Sequence, residues 1–504
     1  MKRKYIFPLI LSVVILFCLF DIARAQDLPG KRDSINSTIL GQKRIIQVVL
    51  PEKYKPGSTE KYDVLYVLDG DGNTGLARDM SRFLIGEGYM PETIIVGVLN
   101  IDRNKDLTPV HIDQNKTSGG GEQFLGFLKD ELIPYINKNY PSDGDNTIFG
   151  HSLGGLFVMY ALLNQPQAFK SYIAADPSFW YNHNYMNKEA ADKLPALANS
   201  GKTLYISGRE GAEYRGMGIV QMDSVLKKYA PEGLSWKAQP YPNETHGSVR
   251  LKSMYDGLKF TYAGYNTSSV IFHPMNGILL KDKPSLVWVI TDYSKVRYTT
   301  DGTEPTMASP KWADEVSITG PAKLTVKSFS TRSKYDKTVT GEFKLGDVLP
   351  PKSKPGRYKP GGLNYSYYEG SFDKLPDFKK LTPVKTGIMD KDFGIDKLPR
   401  QNNFALLIEG EIEIKDDGYY IFGLDSDDGS KLYLGNQLLI DYDGLHGSGK
   451  TQSYELPLAK GFYPVRVEYF QKEGDRNLQL IYVLPGSKQP HAVPIPLELQ
   501  YNRN

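Results

Sequence analysis

A serine stands between two glycines in Gly150-His151-Ser152-Leu153-Gly154, after the apolar run Thr147-Ile148-Phe149 and before the apolar run Leu156 to Leu163. A Gly-x-Ser-x-Gly turn from a strand into a helix holds its serine in a strained conformation with the hydroxyl exposed for attack. Its neighbours must be small because the two backbones pack closely. The plainer alternative is a glycine-rich helix start whose serine merely caps the helix; a strand before and a helix after favour the nucleophile. Such a serine needs a base, and on this kind of scaffold an acid and then a histidine follow it in the chain. Of the seven histidines, His151 lies inside the turn and is expected to point away, and His183 comes too early. His246, in the loop Tyr241-Pro242-Asn243-Glu244-Thr245-His246-Gly247-Ser248, is the expected base. The acid is expected in Gly208-Arg209-Glu210-Gly211-Ala212-Glu213, with Glu210 preferred and Glu213 its rival. Either glutamate could instead pair only with Arg209 or Arg215 at the surface, and a Ser152–His246 dyad without an acid is the third option. For the oxyanion, backbone amides are expected from Leu153 and from the loop Asp69-Gly70-Asp71-Gly72, although a simple turn explains those glycines nearly as well.

Residues 34–264 alternate strands and helices, as positioning these groups requires. Ile45–Leu50, Val64–Leu68, Ile94–Val98, Tyr172–Ala175 and Leu204–Ser207 read as buried parallel strands. Glu122 to Asn139 sets Leu125, Leu128, Leu132 and Ile136 at helical spacing, and Pro134 should bend or shorten that helix. The expected class is α/β, a doubly wound sheet with its site at the carboxyl ends of the strands. Beyond Gly264 the pattern changes to short alternating runs broken by turns, which reads as two β-rich modules at 270–346 and 361–500. A proline-rich linker, 347–360, joins them.

Val64 to Asp71, Arg103-Asn104-Lys105-Asp106-Leu107-Thr108-Pro109, the Gly150–Gly155 turn and Glu244 to Ser248 together resemble the esterase family of α/β hydrolases, which includes siderophore trilactone esterases and feruloyl and acetyl xylan esterases. The resemblance implies Ser152 as nucleophile, His246 as base and the amides of Asp71 and Leu153 as the oxyanion hole. The acid does not carry over, since family members place it at different offsets. Arg103 and Asp106 would border the cleft and Trp180 could line it, binding substrate or only shaping loops. Tyr298 to Thr306 is similar to the small β-sandwich at the C-terminus of chitobiases and β-hexosaminidases, and Leu424 to Gly435 resembles a PA14 domain. In lectin members of that group paired aspartates hold calcium. Asp427 and Asp428 match the pair, but an Asp-Asp-Gly turn is also common without metal. The function implied is a secreted serine esterase removing acetyl or feruloyl groups from polysaccharide, with the last module binding glycan. The alternatives are a siderophore trilactone esterase and a catalytically silent glycan-binding protein.

The remaining numbers bound the partners. With 61 basic and 58 acidic residues the net charge is +3, which gives no electrostatic case for nucleic acid. Phosphate-loop, zinc-helix and nicotinamide motifs are absent, so neither cofactor nor metal is expected. Met1-Lys2-Arg3-Lys4, the apolar run Leu9–Phe17 and Ala23-Arg24-Ala25 read as a signal peptide over residues 1–25. Cys18, the only cysteine, lies within it, and no membrane span is expected in the mature chain. The expected location is periplasmic or extracellular, in a bacterium.

Overall fold

The computed structural model describes residues 30–198, 200–266, 270–290, 295–352, 358–389, 392–487, 491–496 and 500–503. The expected signal peptide and Cys18 lie outside the described residues. The chain forms two compact units. The first comprises residues up to Thr267 together with Ser330–Tyr335, and the second Ser268–Phe329 with Asp336 onward.

The first unit is built on eight strands, β1 (Lys31–Ser37), β2 (Gln42–Val49), β3 (Tyr62–Val67), β4 (Thr93–Val98), β5 (Ser142–His151), β6 (Ser171–Ala175), β7 (Lys202–Arg209) and β8 (Leu234–Tyr241). Their order across the sheet is β1-β2-β4-β3-β5-β6-β7-β8. Strands β3 to β8 run parallel, whereas β2 is antiparallel to both β1 and β4. The sequence reading of Ile45–Leu50 as a parallel strand is thereby corrected. A buried apolar run reports burial on both faces and carries no sign of strand direction.

Alternate residues of the central strands feed two cores. Val64, Tyr66 and Leu68 join Ile94, Ile148 and Leu156 on one face. Leu65 and Val67 join Ile95, Phe149 and Ile173 on the other, against Ala77 and Leu84 of α1 (Gly70–Gly86). Helix α2 (Leu153–Asn164) is buried around nearly its whole circumference, which its unbroken apolar sequence dictates. In the Gly121 to Asn139 helix the hydrogen bonding widens to a π turn over Phe127–Leu132, with Pro134 in the first turn of the helix that follows. A proline there lacks an N–H that the preceding carbonyls can do without once the register has shifted.

Ser330–Tyr335 packs within this unit. Arg332, almost fully buried, pairs with Asp63 and with Asp145 at 3.0 Å, and its Nη2 donates to the Thr147 hydroxyl at 2.6 Å.

In the second unit one sheet runs from Val296–Thr299 through Ala322–Ser328, Lys337–Leu345 and Asn276–Leu279 to Gln452–Leu458 and Gly418–Asp427. Asn276–Leu279 joins its neighbours in parallel, Gly277 opposite Phe343 on one side and Asn276 opposite Tyr454 on the other. The two β-rich stretches separated in the sequence thus share a sheet. A second sheet containing Phe404–Ile414, Gly461–Gln471 and Ser430–Leu434 closes the last sandwich. The expected linker is partly tied down, with Leu349 N donating to Pro457 O at 2.9 Å and Lys352 N to Phe462 O at 3.2 Å. Among the described residues no helix is long and apolar enough to cross a membrane.

Candidate active site

Strand β5 ends at His151, and helix α2 begins at Leu153. Ser152 between them has φ 60° and ψ −115°, a region that costs a side-chain-bearing residue of the order of 1–3 kcal/mol and persists only when its surroundings enforce it. The enforcement is visible. Ser152 N donates to Ala175 O at 3.0 Å, and its carbonyl accepts Ser178 N at 3.1 Å and Leu156 N at 3.0 Å. A Cβ on Gly150 would collide with the Gly154 carbonyl, and one on Gly155 would lie 2.9 Å from Pro177 Cβ. Ser152 Oγ sits 3.2 Å from the hydroxyl of Ser178, a residue only 2% exposed.

His246 lies in the loop after β8, its side chain 41% exposed. Its Nδ1 is 2.7 Å from Asp176 Oδ2, which assigns the Nδ1–H tautomer and leaves Nε2 free to take a proton. Asp176 directly follows β6, is fully buried, and has φ 40°. Burial alone would raise its carboxyl pKa, but hydrogen bonds from His246 and Arg209 outweigh that and hold it below the usual carboxylate range.

The acid expected from the sequence is therefore displaced. Glu210 is exposed, and its amide donates to Tyr241 O at 3.0 Å. Glu213 Oε2 accepts from Arg209 Nη1 at 2.7 Å. The physical reason is strand order: β6 adjoins β5, so the turn leaving β6 touches Ser152, while the β7 turn lies one strand further out. The available signal was Asp176 itself, an acidic residue between a buried apolar strand and Pro177.

His151 also departs from expectation. Its ring packs against that of His246 with centroids 4.4 Å apart, and its Nε2–H donates to the His246 carbonyl at 2.7 Å. Burial, then the neighbouring His246, lower its pKa to about 4, so it is neutral near pH 7 and acts as a plate against which His246 rests.

Leu153 and Asp71 each occupy the first turn of a helix, α2 and α1 respectively. Amides there have no carbonyl one turn back to accept them and carry the positive end of the helix dipole. Asp69, in the left-handed conformation at φ 53°, accepts from Arg103 Nε at 2.6 Å and Nη2 at 3.0 Å, and from Asn100 Nδ2 at 2.8 Å. Arg103 Nη2 also donates to His151 O at 3.2 Å, which braces the turn carrying Ser152. Asp106 instead pairs at 2.8 Å with Arg44, a buried guanidinium that lies over the rings of Phe124 and Phe127. Trp180 is 50% exposed, two residues beyond Ser178. Arg250 donates to Gly247 O at 2.9 Å and to Asn73 Oδ1 at 2.8 Å, beside the histidine loop.

In the second unit, Asp428 Oδ1 accepts His446 N at 3.3 Å and Oδ2 accepts Lys472 N at 2.9 Å. Both oxygens thus serve turn amides. No cluster of three or more metal-binding side chains occurs among the described residues.

Comparison with known proteins gives three family matches: Putative esterase over residues 37–225, Fn3 associated over 290–343 and PA14 domain over 359–494. The chain is 30% identical over 191 residues to the ferri-bacillibactin esterase BesA of Bacillus subtilis, covering 33% of this chain and 65% of that protein. It is 41% identical over 116 residues to the siderophore enterobactin esterase of Emericella nidulans, covering 22% of this chain and 38% of that one. The chain therefore spans less than two thirds of the length of either curated relative. The crystal structure of an IroE-like serine hydrolase from Shewanella oneidensis is 30% identical, with 45% of this chain and 78% of that one covered at a TM-score of 0.41. With the α/β-hydrolase strand order and the strained serine in place, the family models assign the chain a Putative esterase domain over residues 37–225, in the first unit, and a PA14 domain over 359–494.

Proposed function

We propose that the first unit hydrolyses carboxylic esters through an acyl-enzyme on Ser152. The observation that carries this reading is the strained serine at a strand-to-helix turn that also packs against an imidazole held by a buried carboxylate. Ser152 Oγ attacks the ester carbonyl while His246 Nε2 takes its proton. Asp176 keeps the Nδ1–H tautomer and stabilises the imidazolium as it forms. The amides of Leu153 and Asp71 receive the oxyanion. His246 then protonates the departing alkoxide, and water, deprotonated by the same imidazole, releases the acid.

For substrate we favour a siderophore lactone, anionic when iron-loaded. Two curated relatives bear siderophore esterase names and a third is named a ferri-bacillibactin esterase, and Arg103 and Arg250 are bonded to the nucleophile turn and the histidine loop respectively. The second reading, an acetyl or feruloyl ester on polysaccharide, draws on exposed Trp180 and on the PA14 domain, which would hold glycan and raise local substrate concentration. We place the protein outside the cytoplasm on the strength of its N-terminal sequence.

The test is a panel of p-nitrophenyl acetate, methyl ferulate, acetylated xylan and a ferric trilactone siderophore, each beside Ser152→Ala. The expected result is serine-dependent turnover with the highest kcat/KM for the trilactone. Preference for ferulate or xylan moves the substrate to polysaccharide esters. Silence on all four, with the protein folded, overturns hydrolysis in favour of glycan binding alone.

A further inference from the structure

The carboxylate oxygen that holds His246 is shared. Asp176 Oδ2 accepts His246 Nδ1 at 2.7 Å and also Arg209 Nε at 2.6 Å, while Oδ1 accepts the Arg209 backbone amide at 3.4 Å. Arg209 Nη1 continues to Glu213 Oε2 at 2.7 Å. Four groups thus form a hydrogen-bonded chain of alternating acid and base, from Glu213 through Arg209 and Asp176 to His246. Exposure rises outward along it, from 0% for the Asp176 side chain to 16% for Arg209 and 61% for Glu213.

We propose that Arg209 is a positioning residue for ester hydrolysis: bonded to the same Asp176 oxygen as His246, it fixes that carboxylate and shares its charge with the imidazole. The inference rests on the reading of Ser152 and His246 given above.

A carboxylate facing an imidazole stabilises the imidazolium and raises the pKa of the histidine. A guanidinium bonded to the same oxygen compensates part of that charge, so the imidazolium formed during attack gains less from the carboxylate. Glu213, at the far end of Arg209, offsets part of this, and weakly because it faces solvent. The other charged groups around His246 do not act through Asp176. His151, stacked on its face, is neutral near pH 7. Asp69 and Arg103, behind His151, are paired with each other, as are Glu244 and Lys252 on the loop side at 2.8 Å. Arg250 donates to Gly247 O and Asn73 rather than to the carboxylate. The geometry also constrains the side chain at 209. One planar guanidinium bonds Asp176 through Nε and Glu213 through Nη1, which a lysine's single ammonium group would reproduce in charge but not in geometry.

The experiment is kcat/KM for p-nitrophenyl acetate against pH in the full chain and in Arg209→Met, Arg209→Lys and Glu213→Gln, with Glu210→Gln as control and Ser152→Ala as blank. Arg209→Met is expected to move the acid limb to higher pH by about half a unit or more and to lower the plateau about tenfold. Arg209→Lys should keep the limb near that of the wild type while losing plateau rate, and Glu213→Gln should move the limb slightly to lower pH. An acid limb in Arg209→Met that coincides with the wild type, or moves down, overturns the proposal and leaves Arg209 a structural ion pair. If Arg209→Met does not fold, a Glu213→Gln limb that stays fixed or rises is the overturning result. Turnover persisting in Ser152→Ala would instead overturn the hydrolase reading, and this inference with it.

Discussion

Ser152 is held at φ 60° by bonds to Ala175 at the end of β6, to Ser178 just beyond it and to Leu156 of α2, so its hydroxyl is placed before any substrate arrives. The same economy governs His246, which has a buried carboxylate at one edge and the His151 ring on its face. In the proposed reaction, two held groups meet the bound ester already oriented, which removes part of the entropic cost of attack. Within this account Asp176, and not the glutamates of the β7 turn, sets the imidazole tautomer. We expect Asp176→Asn to lower kcat on p-nitrophenyl acetate by about 10²- to 10⁴-fold with the fold intact. Glu210→Gln should stay within about twofold, as surface substitutions away from a site usually do. Circular dichroism beside steady-state kinetics checks both; the reverse ranking would return the acid to the β7 turn.

At the scale of elements, the sequence exposes what is local. The Gly150 to Gly154 turn, the buried strands and the Glu122 to Asn139 helix were legible because period, glycine spacing and flanking runs are properties of contiguous residues. Strand β1 was not read as a strand, since KRDSINS is polar and half solvent-facing at the sheet edge, and β2's direction leaves no trace in its composition. Asp176 was missed because its partner is 70 residues away and only the order β5-β6-β7 decides which turn reaches His246. The sheet shared by the β-rich stretches depends on Asn276–Leu279 pairing with strands far along the chain, which no local pattern reports. That sheet carries a buried acid with a measurable consequence. Glu455, on the Gln452–Leu458 strand, is 5% exposed, and burial pushes its pKa up to about 7, the Ser285 hydroxyl offsetting only part. A carboxyl whose folded pKa is raised stabilises the fold below its unfolded pKa near 4.5, and that contribution is lost as pH rises through about 7. We expect the thermal transition of the second unit to fall between pH 5 and pH 8 through a loss of about 3 kcal/mol. Glu455→Gln should flatten this dependence in calorimetry; an equal slope in the variant would mean that Glu455 is ionised throughout.

At the scale of the whole molecule, Ser152, His246, Asp176 and both expected oxyanion amides all lie in the first unit. The second unit contributes a β architecture with a PA14 match and an aspartate turn whose oxygens are already bonded to amides; in the proposed function it governs where the enzyme works and not how. The near balance of 61 basic and 58 acidic residues sets up no strong overall field to steer a charged partner. The central claim, that Ser152 is a nucleophile activated by His246, is tested most directly by treating the full chain with diisopropyl fluorophosphate and mapping the adduct by peptide mass spectrometry. The account predicts one phosphorylated serine, Ser152, with labelling lost in Ser152→Ala and strongly slowed in His246→Ala; an unlabelled Ser152, or equal labelling in His246→Ala, would contradict it.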